Sequence, residues 1–142
     1  MYHCLKLITI IFVFMSVGCQ TVPPTPPPTA SITGKSLEDV KGVVINVYAA
    51  DGWRLDKDTN YQLVFLKQVD PTSFAAMMLS SRYDSTVYYR ERITMSKVGD
   101  SITLRPQQEI VTNYGSAFER TTPVNNYPFT VRRFYSIESA LR

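Results

Sequence analysis

Residues 86–111 read TVYYRERITMSKVGDSITLRPQQEIV, and this stretch decides the fold of the domain. Its first half alternates apolar with polar residues, as a half-buried antiparallel strand does. Glu91 breaks the apolar face, which is otherwise formed by Val87, Tyr89, Ile93 and Met95. A turn at residues 98–100 follows, and Pro106 in the second half indicates a sheet edge or a bulge. The stretch therefore predicts a long antiparallel hairpin.

The residues before the hairpin predict one helix and two strands. Ser36 is placed to cap a helix that runs to Ala50, with Asp39 in the position of a capping-box acid. Gly52 follows as a C-terminal stop. Apolar residues recur at helical spacing within the segment, at Leu37, Val40, Val44, Val47 and Tyr48. Residues 53–67 predict two strands joined by a polar turn, and residues 71–81 fit either a short helix or an edge strand.

The residues after the hairpin end in a second helix. Residues 113–128 are mostly polar and have no regular period, and Pro128 suits the first turn of a helix. An apolar stripe then predicts packing against the sheet, at Val131, Phe134, Ile137 and Leu141. Together these patterns predict an α+β domain over residues 35–142. It would have two layers, with an antiparallel sheet and helices packed on one face.

The first eighteen residues have the features of an export signal. Lys6 precedes an apolar run over residues 7–15, which only Thr9 interrupts, and small residues follow. The run is far shorter than the roughly 20 apolar residues that a membrane-spanning helix needs. We therefore predict that residues 1–18 are a signal peptide.

Ser16, Val17, Gly18 and Cys19 come directly after this run. They resemble the lipobox of bacterial lipoproteins, although Ser16 stands where that family usually has an aliphatic residue. The resemblance implies cleavage before Cys19 and a stable membrane anchor through lipid on its thiol. An ordinary signal peptide with cleavage nearby is the alternative. For a Gram-negative source, Gln20 in place of an aspartate implies the outer membrane, on its periplasmic face.

Residues 20–34 read QTVPPTPPPTASITG and contain five of the nine prolines. Proline favours an extended backbone, and the stretch has too few apolar residues to offset the entropy lost on ordering. We therefore predict that residues 19–34 are the lipidated cysteine followed by a Pro-rich, disordered tether.

Histidine and cysteine occur only among the first nineteen residues, as His3, Cys4 and Cys19. Ser-His-Asp and Cys-His catalysis need an imidazole base, and zinc and copper sites depend on the same residue types. The chain also lacks the Gly-rich motifs that bind phosphate groups. These features argue against an enzyme, a metal site and a cofactor. The net charge of +3 is too small to indicate nucleic-acid binding.

Glu91 and Trp53 each have two interpretations. Glu91 is either an acid with a raised pKa, or a structural residue that pairs with an arginine or lies near a strand end. Trp53 could stack on a sugar, but a lone tryptophan beside a helix end is usually part of the core. We predict the structural role for both and no catalytic residue.

Residues 113–128 carry the candidate partner-binding residues. Unstructured connections longer than roughly 12–15 residues are often functional, and Tyr and Arg are frequent in binding hot spots. The candidates are Tyr114, Phe118, Arg120 and Tyr127. The alternative is that Phe118 and Tyr127 fold back over the core.

Three functions follow from these observations. The predicted one is a membrane-anchored envelope lipoprotein that acts as a non-catalytic binding or scaffold module for another envelope protein. The alternative is a peptidoglycan- or glycan-binding module, which the aromatic residues and the tether would suit. A carboxylate-based hydrolase has the least support.

Overall fold

The computed structural model describes residues 26–73, 86–124 and 128–142. These residues form β1 (Ala30–Thr33), α1 (Leu37–Ala50), β2 (Arg54–Asp58), β3 (Gln62–Gln68), β4 (Val87–Val98), β5 (Ser101–Thr112), β6 (Arg120–Pro123) and α2 (Pro128–Ala140). All strand pairs of the sheet are antiparallel. The predicted α+β class with an antiparallel sheet is confirmed. Most of the segment at residues 71–81 lies outside the described residues.

The predicted hairpin forms the centre of the sheet. β4 and β5 pair along their whole lengths, and the strand order is β1-β5-β4-β3-β2, with β6 also on β5. β1 pairs with the start of β5 and β6 with its end. Pro106 lies in the interval between these two short strands, where one side of β5 has no strand partner. This position suits a residue without a backbone N–H, and the edge predicted at Pro106 is confirmed.

β1 corrects the predicted start of the domain. The sequence predicts a disordered tether as far as Gly34, but Ala30–Thr33 form a strand on β5. Ala30 and Ile32 are buried in the core, while the two residues that alternate with them are exposed. A four-residue strand is stable here because β5 offers it an edge that is already formed. The domain therefore begins at Ala30, and the prediction of disorder is wrong for Ala30–Thr33.

The first helix agrees with the sequence prediction. The Ser36 hydroxyl accepts a hydrogen bond from the Asp39 backbone N–H at 3.1 Å and donates one to its carboxylate at 2.6 Å. Gly52 has a φ of +78°, which lets the chain leave the helix and turn into β2. Within the predicted stripe Val40, Val44 and Tyr48 are buried, and Leu37 and Val47 pack against the core. The two strands predicted over residues 53–67 are β2 and β3.

One hydrophobic core joins both helices to the sheet. From the strands it takes Ala30, Ile32, Leu63, Phe65, Ile93, Met95, Ile102 and Leu104. Of the predicted stripe, Phe134 and Ile137 in α2 and Leu141 just after it are buried, but Val131 is 36% exposed. Thr130 and Arg133 occupy buried positions instead, because Glu91 lies in the core and needs polar partners.

Candidate functional site

A compact loop at residues 113–119 joins β5 to β6. Asn113 and Gly115 adopt positive φ angles of 53° and 74°, which produce a tight reversal. The Ser116 hydroxyl donates to the Asn113 carbonyl at 2.8 Å and accepts from the Phe118 backbone N–H at 3.1 Å. The Asn113 side-chain amide donates to the Phe118 carbonyl at 3.3 Å. The loop is therefore held by its own hydrogen bonds.

Glu119 anchors this loop to the sheet. Its carboxylate accepts from the Gly115 backbone N–H at 3.0 Å and from the Arg90 guanidinium at 2.7 Å. These contacts hold the pKa of Glu119 below its usual value, although partial burial works against the charged form. Arg90 and Arg92 also pair with the buried Glu109, at 3.1 and 2.7 Å. The end of the loop is thus part of a four-residue ion network.

Tyr114 attaches the same loop to the edge strand β2. Its hydroxyl donates to the Asp56 carboxylate at 2.5 Å, and this hydrogen bond raises the pKa of Tyr114. The ring lies 5.4 Å from the Tyr88 ring and 5.5 Å from the Arg90 guanidinium. Both ends of the Tyr114 side chain are therefore engaged within the protein.

The other sequence-predicted residues have different surroundings. Phe118 is 80% exposed, so the alternative in which it folds back over the core is wrong. Arg120 is exposed and begins β6, a strand that the sequence pattern missed because all four of its residues are exposed. Tyr127 and Cys19 lie outside the described residues. The structure thus brings Tyr114 and Phe118 onto one loop, with Arg120 directly after it.

A second cluster is built around Glu91, which is fully buried. Its carboxylate accepts from the Arg133 guanidinium at 2.6 Å and from the Thr130 hydroxyl at 2.8 Å. Arg133 also donates to the Asp51 carboxylate at 2.7 Å. Its guanidinium carbon lies 4.8 Å and 4.9 Å from the centres of two aromatic rings, those of Tyr48 and Trp53. The prediction that Glu91 pairs with an arginine is confirmed.

The pKa shifts in this cluster favour one charge state of each shifted side chain around pH 7. Burial disfavours the charged form of Arg133, but Glu91 and the other acceptors raise its pKa above the ordinary value. Burial, together with the charge of Glu91, raises the pKa of Tyr48 well above its usual value. Partial burial works against ionisation of Asp51, yet the hydrogen bond from Arg133 lowers its pKa overall. Arg133 and Asp51 therefore stay charged and Tyr48 stays neutral around pH 7.

Sequence reasoning missed Arg133, although a signal was present. An acid on the apolar face of a central strand requires a polar or cationic partner on whatever packs over it. Arg133 lies four residues before Ile137 of the apolar stripe, so the two side chains share one face of the helix. Trp53 was predicted to belong to the core, and it is 6% exposed there.

A cleft of about 510 Å³ opens beside the Arg133 cluster. It lies between the start of α2 and the strands β3, β4 and β5. The described residues that line it are Trp53, Lys67, Gln68, Val69, Asp70, Tyr89, Gln108, Val124, Phe129 and Arg133. Its walls are thus mainly aromatic and aliphatic, with a few polar groups.

No protein-family model matches the chain, and no curated protein shows significant sequence similarity to it. Neither of the two helices in the described part of the chain is long and apolar enough to cross a membrane. The same residues contain no group of three or more His, Cys, Asp or Glu side chains arranged to hold a metal ion.

Proposed function

We propose that this chain is a membrane-anchored envelope lipoprotein whose domain binds another envelope protein without catalysing a reaction. The membrane anchor in this proposal is lipid on Cys19, on the periplasmic face of the outer membrane for a Gram-negative source. The single observation that carries the binding role is the exposure of Phe118 on a loop held by hydrogen bonds.

The loop at residues 113–119 has the properties expected of a contact site. Burial of a phenylalanine side chain is favourable by about 1.5–3 kcal/mol, yet 80% of Phe118 is in contact with solvent. Because Ser116 and Glu119 already hold the backbone, a partner would lose little conformational entropy on ordering it. The neighbouring Arg120 adds a side-chain type that is frequent in binding hot spots. Phe118 would therefore be a preorganised apolar contact.

We further propose that both helices pack on one face of the sheet. This arrangement is supported by the single core that Val44 of α1 and Ile137 of α2 share with Phe65 of β3. Arg90 and Glu109 alternate with core residues of their strands, which would direct them to the opposite face. The loop that Arg90 anchors would then lie away from the helices.

A site-specific photocrosslinker tests the Phe118 contact. The crosslinking residue is introduced at position 118 in the full chain, expressed in its own cells. A matched variant carries it at Val98, which is 78% exposed at the end of β4. We expect an adduct of discrete size from position 118 and none from position 98. No adduct at 118, or the same adduct at both positions, would contradict the proposal.

Sedimentation with purified, insoluble cell wall tests the glycan-binding alternative. Trp53, the residue best suited to stacking on a sugar, is almost fully buried. We therefore expect the mature protein to stay in the supernatant. Co-sedimentation that persists in Phe118→Ala would favour the glycan-binding module over the protein-binding one.

A further inference from the structure

We infer that the cleft beside α2 binds a small amphipathic organic anion, with a ring-containing apolar body and one acidic group. This site is separate from the Phe118 loop and adds a ligand to the proposed function. The volume of about 510 Å³ falls within the roughly 300–1,000 Å³ range of small-molecule sites. Such sites are typically apolar, with a few polar groups that fix the orientation of the ligand.

The walls of the cleft suit an apolar, ring-shaped body. Trp53 and Val69 are buried side chains that contribute part of their surface to it, and Tyr89 is half-buried. Phe129 lies on the first turn of α2, lines the cleft, and is 70% exposed. A ring inserted between Phe129 and the sheet would remove this exposed aromatic surface from water.

Lys67 identifies the charge of the ligand. Its ammonium donates to the backbone carbonyl of Asp51 at 2.7 Å and lies 6.0 Å from the centre of the Trp53 ring. Among the residues that the structure describes, no carboxylate lies within ion-pair distance of Lys67. An ammonium at the wall of an apolar cleft is therefore available to an acidic group.

The other charged side chains that line the cleft already have hydrogen-bond partners within the protein. Arg133 is paired with Glu91 and Asp51, at 2.6 and 2.7 Å. The Asp70 carboxylate accepts hydrogen bonds from the backbone N–H and the hydroxyl of Thr72, at 2.8 and 2.6 Å. Lys67 is thus the cation that a ligand would neutralise.

A second groove, of about 580 Å³, also contains a lysine and can be compared with the cleft at Lys67. It lies between the start of α1 and the β2–β3 turn, and its lysine, Lys41, forms an ion pair with Asp58. This groove has the larger volume, but its lysine already has an acidic partner. Lys41 therefore serves as the matched control for Lys67.

Two dyes of nearly identical shape test the inference. The protein is the full mature chain, residues 19–142, made with Cys19→Ser so that neither lipid nor detergent is present. 1-Anilinonaphthalene-8-sulfonate carries one sulfonate, and N-phenyl-1-naphthylamine has the same rings without a charge. We expect both to bind. Lys67→Met should weaken the sulfonate about tenfold and leave the neutral dye within about twofold, because only the charged contact is lost.

Further measurements locate the site and keep the test decisive if a variant does not fold. Trp53 is the only tryptophan of the chain, so its indole N–H gives one NMR signal, which the sulfonate should shift. Lys41→Met should bind both dyes like the parent protein, and Phe129→Ala should weaken both. If Lys67→Met unfolds, the parent protein still gives a test, because salt should weaken the sulfonate and spare the neutral dye. Equal loss of both dyes in Lys67→Met, or an unshifted Trp53 signal, would overturn the inference.

Discussion

The role of some residues in this protein can be predicted from the neighbouring sequence, whereas the role of others depends on residues far along the chain. Glu91 interrupts an apolar strand face, and the sequence indicates only that it needs a partner. The partner is Arg133, 42 residues further along the chain. Arg133 also contacts Asp51 after α1, so one side chain links α2, β4 and the end of α1. Its charge is tolerated in the core because its two terminal nitrogens donate to the carboxylates of Asp51 and Glu91.

Removal of one member of this pair should cost far more stability than removal of both. Glu91→Leu alone leaves the Arg133 charge buried with too few acceptors, and we expect it to lower the free energy of unfolding by about 3–5 kcal/mol. The double variant Glu91→Leu with Arg133→Met should recover most of that loss, because the charge and its partner leave together. Urea titration of the parent, both single variants and the double variant measures this difference. Additive losses in the double variant would contradict the argument.

The helices and strands show where local patterns are sufficient. The β4–β5 hairpin and α1 follow from period-two alternation and from the cap at Ser36. β1 and β6 were not predicted from local patterns, because β1 has only four residues directly after a Pro-rich stretch and all four residues of β6 are exposed. Both are strands through their pairing with β5, which is distant along the chain from β1. In α2 the buried face includes Thr130 and Arg133, so it differs slightly from the predicted apolar stripe, and Val131 lies at the surface.

Truncation tests the new domain boundary. A mature chain that starts at Lys35 lacks β1, and with it the buried side chains of Ala30 and Ile32. We expect a loss of about 2 kcal/mol or more, which lowers Tm by roughly 8 °C or more. A chain that starts at Pro26 retains β1 and should have the same Tm as the full mature chain. Equal Tm values for the chains starting at Pro26 and Lys35 would show that β1 adds no stability.

At the scale of the whole molecule, the proposed arrangement is an anchor, a Pro-rich tether and a binding domain. The anchor rests on the resemblance of Ser16–Cys19 to a lipobox and on the apolar run before it. The domain carries two separate surfaces, the loop that presents Phe118 and the cleft at Lys67. A tethered domain of this kind would meet its partner away from the bilayer surface.

Maturation in cells tests the anchor. Cys19→Ser removes the thiol that would accept the lipid, so we expect an uncleaved precursor of higher mass on immunoblots. Inhibition of the lipoprotein signal peptidase should leave the wild-type chain uncleaved as well. Cys4→Ser is the matched control, since Cys4 precedes the apolar run, and it should mature normally. Normal maturation of Cys19→Ser would rule out lipidation at this residue.

The α+β class, the central hairpin, both helices and the Phe118-bearing segment all follow from the sequence alone. The hairpin and the helices are encoded by neighbours within a few residues, through side-chain period, caps and turn residues, and the Phe118-bearing segment is recognised by its lack of a period. The strand role of Ala30–Thr33, the partnership of Glu91 with Arg133, and the position of Lys67 in the cleft that Phe129 also lines depend on contacts between distant parts of the chain. Such contacts produce no periodic pattern in the sequence, because burial and charge pairing act on whichever groups the folded backbone brings together.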